Sequence, residues 1–218
     1  MQVGFLGGTG IEAKGLALRF AAAGAQVILG SRSEERAASA ALDYNRILGR
    51  FPIRGATNKE MLSGSDIVFL TVPFDQAVNA VESCRSDFPP NLVLVDVTVP
   101  MRFKDGRAEY VEQEGGSNSE TIAAHLPAGV DLVTAFKTIP AHMLAETERP
   151  LECDVFVCGE SPAAKGKVIK AVSMIPTLRP LDAGPLRNAR ILERMTVLAA
   201  QLNRRYKSKD ARYRVVGI

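Results

Sequence analysis

Cysteine is scarce: Cys84, Cys153 and Cys158 are the only three in a chain of 218 residues. That is too few for a disulfide framework in a chain long enough to bury about 70% of its unfolded surface. Cys153 and Cys158 share one strand-like run, Cys-Asp-Val-Phe-Val-Cys, with no His or further Cys beside them to complete a metal site. Reduced, buried thiols and no metal are expected. No stretch approaches the ~20 apolar residues of a membrane span, and the first apolar run is short and leads into a Gly-rich turn, so neither a membrane helix nor a leader is expected. A surplus of one charge is also missing. The 27 Lys and Arg against 24 Asp and Glu leave +3, too little to argue for a nucleic-acid partner. There is no internal repeat and no low-complexity segment. What remains is ordinary globular usage, 46% apolar and 23% charged, expected of a cytoplasmic protein with one large domain or one domain and a modest appendage.

Within that frame the chain alternates strand-like and helical runs. Met1–Leu6 is a continuous apolar strand that breaks at Gly7-Gly8-Thr9-Gly10 into a helix over 11–23, which Gly24 stops. A second strand covers 25–29 and a helix 34–48. A short strand near Ile53, a strand over 66–71, a helix over 75–85 and a strand over 92–95 follow. Residues 99–116 are the least regular, and Gly115-Gly116-Ser117-Asn118 reads as a mobile loop. Helix 119–125, strand 131–136, strand 154–158, helix 163–174, strand 177–181 and a terminal helix over 185–206 complete the chain. Alternation of this kind predicts an α/β, doubly wound, Rossmann-type fold with a mostly parallel sheet, helices on both faces and a C-terminal helical extension. The strands are unbroken apolar runs, as a sheet covered on both sides requires.

Gly8-Thr9-Gly10-Ile11-Glu12-Ala13 fits the dinucleotide fingerprint and stands between a first strand and a helix, the context that gives the motif its meaning. Small residues there let a pyrophosphate approach free N–H groups at the positive end of the helix; the alternative is an ordinary tight turn. NAD-binding chains usually end their second strand with an acidic residue. This one reads Gly30-Ser31-Arg32-Ser33, with Arg36 one turn further on. A guanidinium and a hydroxyl suit a 2′-phosphate, so NADP(H) is the expected cofactor, with a solvated helix face as the alternative for Arg32 and Arg36. Val72, Pro73 and Phe74 end the next long strand at the edge where such sheets bind ligands. Phe74 and Val78 either flank the nucleotide or belong to the core.

Several runs together carry a resemblance. They are Gly7-Gly8-Thr9-Gly10 with Lys14-Gly15-Leu16-Ala17-Leu18-Arg19, Gly30-Ser31-Arg32, Leu70-Thr71-Val72-Pro73, Thr138-Ile139-Pro140-Ala141 and Val157-Cys158-Gly159. Most telling is Leu178-Arg179-Pro180-Leu181-Asp182-Ala183-Gly184-Pro185-Leu186, which no general requirement of the fold explains. Over nearly its whole length the chain resembles the F420-dependent NADP reductases, which pass hydride between NADPH and the deazaflavin coenzyme F420. The resemblance implies that the segment Thr9, Gly10, Ile11 and Glu12 binds the pyrophosphate and that Ser31, Arg32 and Arg36 bind the 2′-phosphate. It places Phe74, Val78, Met101 and Ala141 along the nucleotide and nicotinamide, and the deazaflavin near Lys137, Thr138, Ile139, Pro140 and Ala141. Two positions depart from the family pattern: Ile11-Glu12-Ala13 replaces Asn-Leu-Gly or Pro-Gln-Gly, and Lys137 stands where His is frequent.

Hydride transfer asks little acid–base chemistry of a protein. Lys137 is the candidate catalytic group, a cation near the acceptor ring; the alternative is an exposed lysine after a strand. His142 reads as a hydrogen-bonded structural residue and His125 as surface. Basic residues gather at the end: Arg187, Arg190, Arg194, Arg204, Arg205, Lys207, Lys209, Arg212 and Arg214, against Glu193 and Asp210. They would suit a polyanionic ligand such as F420, or form a solvated helix face and a frayed terminus. Residues 1–182 are expected to form the NADP-binding domain and 183–218 a helix and basic tail completing the acceptor site. The apolar side of that helix (Ile191, Leu192, Met195, Leu198, Leu202) would serve a homodimer. The expected partner is a small-molecule co-substrate. The competing functions are reduction of a flavin, imine or carbonyl compound by NADPH, or NADP sensing without catalysis.

Overall fold

Apolar runs alternate with helices along the chain, and their order fixes where the sheet's ligand edge lies. The computed structural model describes residues 1–50 and 52–218. In chain order the elements are β1 (Gln2–Leu6), α1 (Ile11–Ala22), β2 (Gln26–Ser31), α2 (Glu34–Leu48), β3 (Ile53–Thr57), α3 (Asn58–Ser63), β4 (Ile67–Leu70), α4 (Ala77–Ser83) and β5 (Val93–Asp96). Then come β6 (Met101–Lys104), β7 (Arg107–Tyr110), α5 (Asn118–His125), β8 (Asp131–Thr134), α6 (Ala141–Ala145), β9 (Cys153–Gly159), α7 (Pro162–Val172), β10 (Leu178–Asp182) and α8 (Ala189–Arg205).

Eight strands form one sheet in the order β10-β9-β8-β5-β4-β1-β2-β3. All neighbours are parallel except β8 and β9, which pair antiparallel with Val133 opposite Gly159. The expected mostly parallel, doubly wound sheet is therefore present. Successive residues supply opposite faces: Val3, Phe5, Ile67, Phe69, Val93 and Val95 enter one core, and Leu6, Val68, Leu70 and Leu94 the other. Phe69 lies at the centre of the first, its ring 5.5 Å from Phe5, 5.1 Å from Phe20 and 5.8 Å from Phe136.

The order reverses between β1 and β4, and their carboxyl ends open the crevice in which such sheets bind ligands. One wall of that crevice is held by α6, which is fastened to α1. Gly15 allows the close approach, since a Cβ there would lie 2.6 Å from Leu144 Cβ. The buried Arg19 guanidinium donates to the carbonyls of Met143 (2.8 Å), Leu144 (2.9 Å), Glu146 (2.6 Å) and Arg149 (3.0 Å), satisfying the end of a helix only five residues long.

Three sequence expectations change. Residues 99–116 contain a hairpin, β6–β7, turning at Asp105-Gly106 with both φ positive. Ser117 and Asn118 are buried, and Ser117 caps α5 by accepting from Glu120 N, so the expected mobile loop is instead anchored at its end. The C-terminal tail is docked, not frayed. Tyr213 O accepts from Asp154 N (2.9 Å), Val215 N donates to Asp154 Oδ2 (2.6 Å) and Tyr213 OH donates to Met195 O (2.6 Å). The thiols match expectation: Cys84, Cys153 and Cys158 are free and buried, and burial pushes Cys153 and Cys158 up to about 11.

Candidate active site

The turn after β1 assigns different work to its glycines. Gly7 adopts φ +87°, which L side chains rarely tolerate. Gly8 is needed for packing, because a Cβ would sit 2.9 Å from Leu29 Cα, and its N–H donates to Gly30 O at 3.1 Å. Gly10 differs. A Cβ there would meet nothing closer than Thr71 O at 3.5 Å, so the protein itself has no need of glycine at this helix N-cap. No side chain caps α1, and its first amides face the crevice end of the sheet. An uncapped N-terminus beside space for one more group fits a pyrophosphate.

The bond between Gly8 and Gly30 brings the end of β2 alongside. Ser31 Oγ accepts from Ser33 N (3.2 Å), while Arg32 and Arg36 are exposed and, among the described residues, their guanidiniums meet no carboxylate. Glu35 is turned to Ser33, whose hydroxyl donates to it at 2.6 Å and holds its carboxyl below the usual range. Two free guanidiniums at a strand end fit a 2′-phosphate.

Next to the turn lies a cavity of about 510 Å³. Glu12 enters it from α1, Val72, Pro73 and Phe74 from the end of β4, and Thr98 and Met101 from the segment after β5. Phe136 through Ala141 form a long wall. Helix α8 contributes Thr196, Ala199, Ala200 and Asn203, and the tail Ala211. Ten of the residues expected at a site therefore line one cavity: Glu12, Val72, Pro73, Phe74, Met101, Lys137, Thr138, Ile139, Pro140 and Ala141. Gly8, Thr9, Gly10 and Ile11 form the adjoining turn. Val78 does not line the cavity; it packs on the core beneath α4.

Behind the wall is a buried charge network. Lys137 is almost wholly buried, which excludes an exposed lysine. Its Nζ donates to Asp96 Oδ2 (2.8 Å) and to the Thr98 carbonyl, and lies 3.4 Å from Glu193 Oε1. The ammonium is thus held by two hydrogen bonds and a second ion pair within the protein. The second negative charge is also met. Asp96 accepts from Thr98 N (2.8 Å), Thr98 Oγ1 (2.6 Å) and Ser119 Oγ (2.6 Å). Glu193 accepts from Tyr110 OH (2.8 Å) and from the first amides of α5 at Asn118 (3.2 Å) and Ser119 (3.3 Å). Burial, and then the bond to Glu193, hold the Tyr110 phenol well above its usual range. The network joins β5, the β8–α6 segment, α5, the hairpin and α8, so the cavity's far wall is set by α8 through Glu193. Sequence reading missed Asp96 and Glu193. Glu193 had a signal, since it shares a face with Ala189, Leu192 and Val197, where an apolar residue belongs.

Of the basic C-terminal residues, Arg190 pairs with Glu120 (2.7 Å), and Arg194 pairs with Glu112 (2.8 Å) and lies over the Tyr110 ring. Arg204 donates to the Gly106 carbonyl and Arg212 to Leu151 O (2.6 Å). His142 Nε2 faces Asp210 Oδ1 (3.0 Å) and His125 Nδ1 faces Glu82 Oε1 (2.7 Å), at half-buried positions.

Comparison with known proteins turns this site into a family assignment. A reductase of Methanothermobacter thermautotrophicus named F420-dependent NADP reductase is 36% identical over 223 residues, covering 100% of this chain and 96% of that one. Its namesake in Methanocaldococcus jannaschii is 31% identical, covering 100% and 99%. The chain belongs to the F420-dependent NADP reductase family. The model of the family described as NADP oxidoreductase coenzyme F420-dependent matches residues 2–100, which hold the turn, β2 and β4. A solved structure from Arthrobacter sp. FB24 superposes with a TM-score of 0.82 over 99% of both chains at 20% identity, which shows the shared fold. Among the described residues no helix is long and apolar enough to cross a membrane.

Proposed function

We infer that this protein is an oxidoreductase that transfers a hydride between NADP(H) and the deazaflavin coenzyme F420. The observation that carries the reading is a cavity of about 510 Å³ lined both by Glu12, at the start of uncapped α1, and by the 137–141 wall. When bound, the two coenzymes supply the redox chemistry. The protein's residues then have four tasks. The amides from Thr9 to Glu12 hold the pyrophosphate, with Gly10 leaving it room. Ser31, Arg32 and Arg36 select the 2′-phosphate. Val72, Pro73, Phe74, Met101 and Ala141 give apolar walls that orient the nicotinamide and exclude water. Thr138, Ile139 and Pro140 form the platform for the acceptor. Lys137 acts as a positioning residue: its ammonium is held by Asp96 and Glu193 and so fixes the segment that bears the platform.

Residues 1–182 serve the nucleotide and 183–218 complete the acceptor side, a division supported by the cavity lining from α8 and the tail. The exposed Ile191 and Leu198 on α8 support a homodimer through that face. Free thiols support a cytoplasmic location. The deciding assay offers F420, FMN and a panel of imines and ketones in parallel and follows NADPH oxidation. Turnover with F420 faster than with FMN is expected. Good turnover with FMN or an imine and none with F420 would move the chain to the competing reductase reading, and binding without turnover to the sensor. Gly10→Val should raise the NADPH Kd at least about a hundredfold while leaving the fold intact, since a Cβ there meets no protein atom closer than 3.5 Å and the branched side chain would crowd the phosphate. Undiminished NADPH binding would show that the phosphates lie elsewhere.

A further inference from the structure

Two carboxylates line the cavity without a protein partner among the described residues: Asp75, which is exposed, and Glu12, which is not. Glu12, second residue of α1, is half-buried, and among the described residues its carboxyl has no hydrogen-bond or ion-pair partner. No charged group on the surrounding elements supplies Glu12 with a counter-ion. Lys14 follows two residues along the same helix, a spacing at which side chains do not face each other. Asp75, after β4, lines the cavity too, but it is negative and open to solvent. Lys137 is held by Asp96 and Glu193, and His142 of α6 faces Asp210 of the tail. From α8 the cavity receives Thr196, Ala199, Ala200 and Asn203, none of them ionisable. Enclosed by these walls without a counter-ion, the Glu12 carboxyl is pushed up to about 7.

We propose that Glu12 makes the protein discriminate between oxidised and reduced nicotinamide, its carboxylate favouring the positively charged ring of NADP+ over the neutral ring of NADPH. The inference rests on the nicotinamide occupying this cavity. With NADPH bound, a carboxylate beside the pyrophosphate is repelled and finds no positive charge, so the neutral acid is preferred. With NADP+ bound, the ring charge offsets that repulsion, so the anion is favoured relative to the NADPH complex. The cofactor's redox state and the proton on Glu12 are thereby linked, and the preference for NADP+ over NADPH rises with pH. A separation of one pKa unit between the two complexes corresponds to about a tenfold change in relative affinity. The 2′-phosphate titrates in both forms and cancels in the ratio.

The test is calorimetric titration of NADP+ and NADPH into wild type, Glu12→Gln and Glu12→Asp at several values from about pH 6 to about pH 9. In wild type the ratio of NADP+ to NADPH affinity should rise about tenfold across the range, with more proton uptake on NADPH binding than on NADP+ binding near its middle. Glu12→Gln should show neither, and Glu12→Asp should retain part of both. A flat wild-type ratio, or an unchanged slope in Glu12→Gln, overturns the proposal. Ala141→Phe, which adds bulk inside the cavity, separates this failure from failure of the cavity reading. If it weakens both nucleotides while the ratio stays flat, only the role of Glu12 falls. If it leaves both affinities unchanged, the nicotinamide lies elsewhere and the proposal falls with it.

Discussion

The β1–α1–β2 edge beside the cavity and the cavity's far wall treat charge in opposite ways. At the β1–α1–β2 edge, Arg32 and Arg36 are exposed without partners among the described residues, α1 is uncapped and Gly10 leaves space the fold does not need. At the β8–α6–α8 edge, Lys137, Asp96 and Glu193 are buried, and Lys137 is paired with both carboxylates. Charge kept for a ligand is recognisable by what it lacks inside the protein; charge kept for structure is recognisable by how fully it is satisfied. In the sequence both kinds look alike, a basic residue just past an apolar strand.

The largest expected effect breaks the buried side. Lys137→Ala leaves two carboxylates facing each other without their cation, which typically costs about 3–5 kcal/mol. Wild type and variant should differ by that amount in urea unfolding, and the KM for F420 should rise because the 137–141 wall loses its anchor. A variant as stable as wild type would mean that the network is not the structural device inferred from its distances. Arg19→Ala should likewise destabilise, since it abandons four carbonyls at the end of α6.

A smaller effect sharpens the open side. If Arg32 binds the 2′-phosphate as proposed, Arg32→Ala removes one charge-assisted contact, about 1.5–3 kcal/mol, or roughly tenfold to a hundredfold in KM for NADPH. The thermal midpoint should stay put because no protein partner is lost. NADH kinetics should be unchanged. Equal wild-type affinity for NADH and NADPH would contradict the selective role of Ser31, Arg32 and Arg36.

The same contrast explains what could be read in advance. Unbroken apolar strands gave away the covered sheet, and the order of Gly8, Gly10 and Arg32 gave away the open edge, because each signal lies within a few residues. The hairpin was missed although Asp105-Gly106 is a strong turn signal. Its strands are polar and largely exposed, with Phe103 turned to solvent, so no apolar alternation marks them. Helix α3 is only six residues long, and its sole local mark is the capping box between Thr57 and Glu60. The Lys137 network could not be read locally at all. It joins residues 96, 137 and 193 from β5, the loop after β8 and α8, and only the assembled fold brings them within bonding distance.

The smallest expected effect concerns the tail, where charge is paired but open to solvent. Arg149 first, and then His142, hold the Asp210 carboxyl down at about 2. An aspartate in an unfolded chain titrates near 4. A group whose folded value is depressed contributes stability above its unfolded value and loses it as pH falls through the folded one. Docking of the tail through Asp210 is therefore fully present above about pH 4 and fades between about pH 4 and pH 2. Arg149 Nη2 donates to Asp210 Oδ2 at 2.7 Å and Asp210 lies one residue before Ala211 of the cavity wall, so loosening here should reach the site. Asp210→Asn should lower the thermal midpoint slightly at neutral pH, and its difference from wild type should shrink as the pH is taken from about 5 to about 3. The variant's KM for F420 should rise more than its KM for NADPH if the tail serves the acceptor side as proposed. A midpoint difference that stays constant down to about pH 2 would show that the carboxylate of Asp210 does not hold the tail.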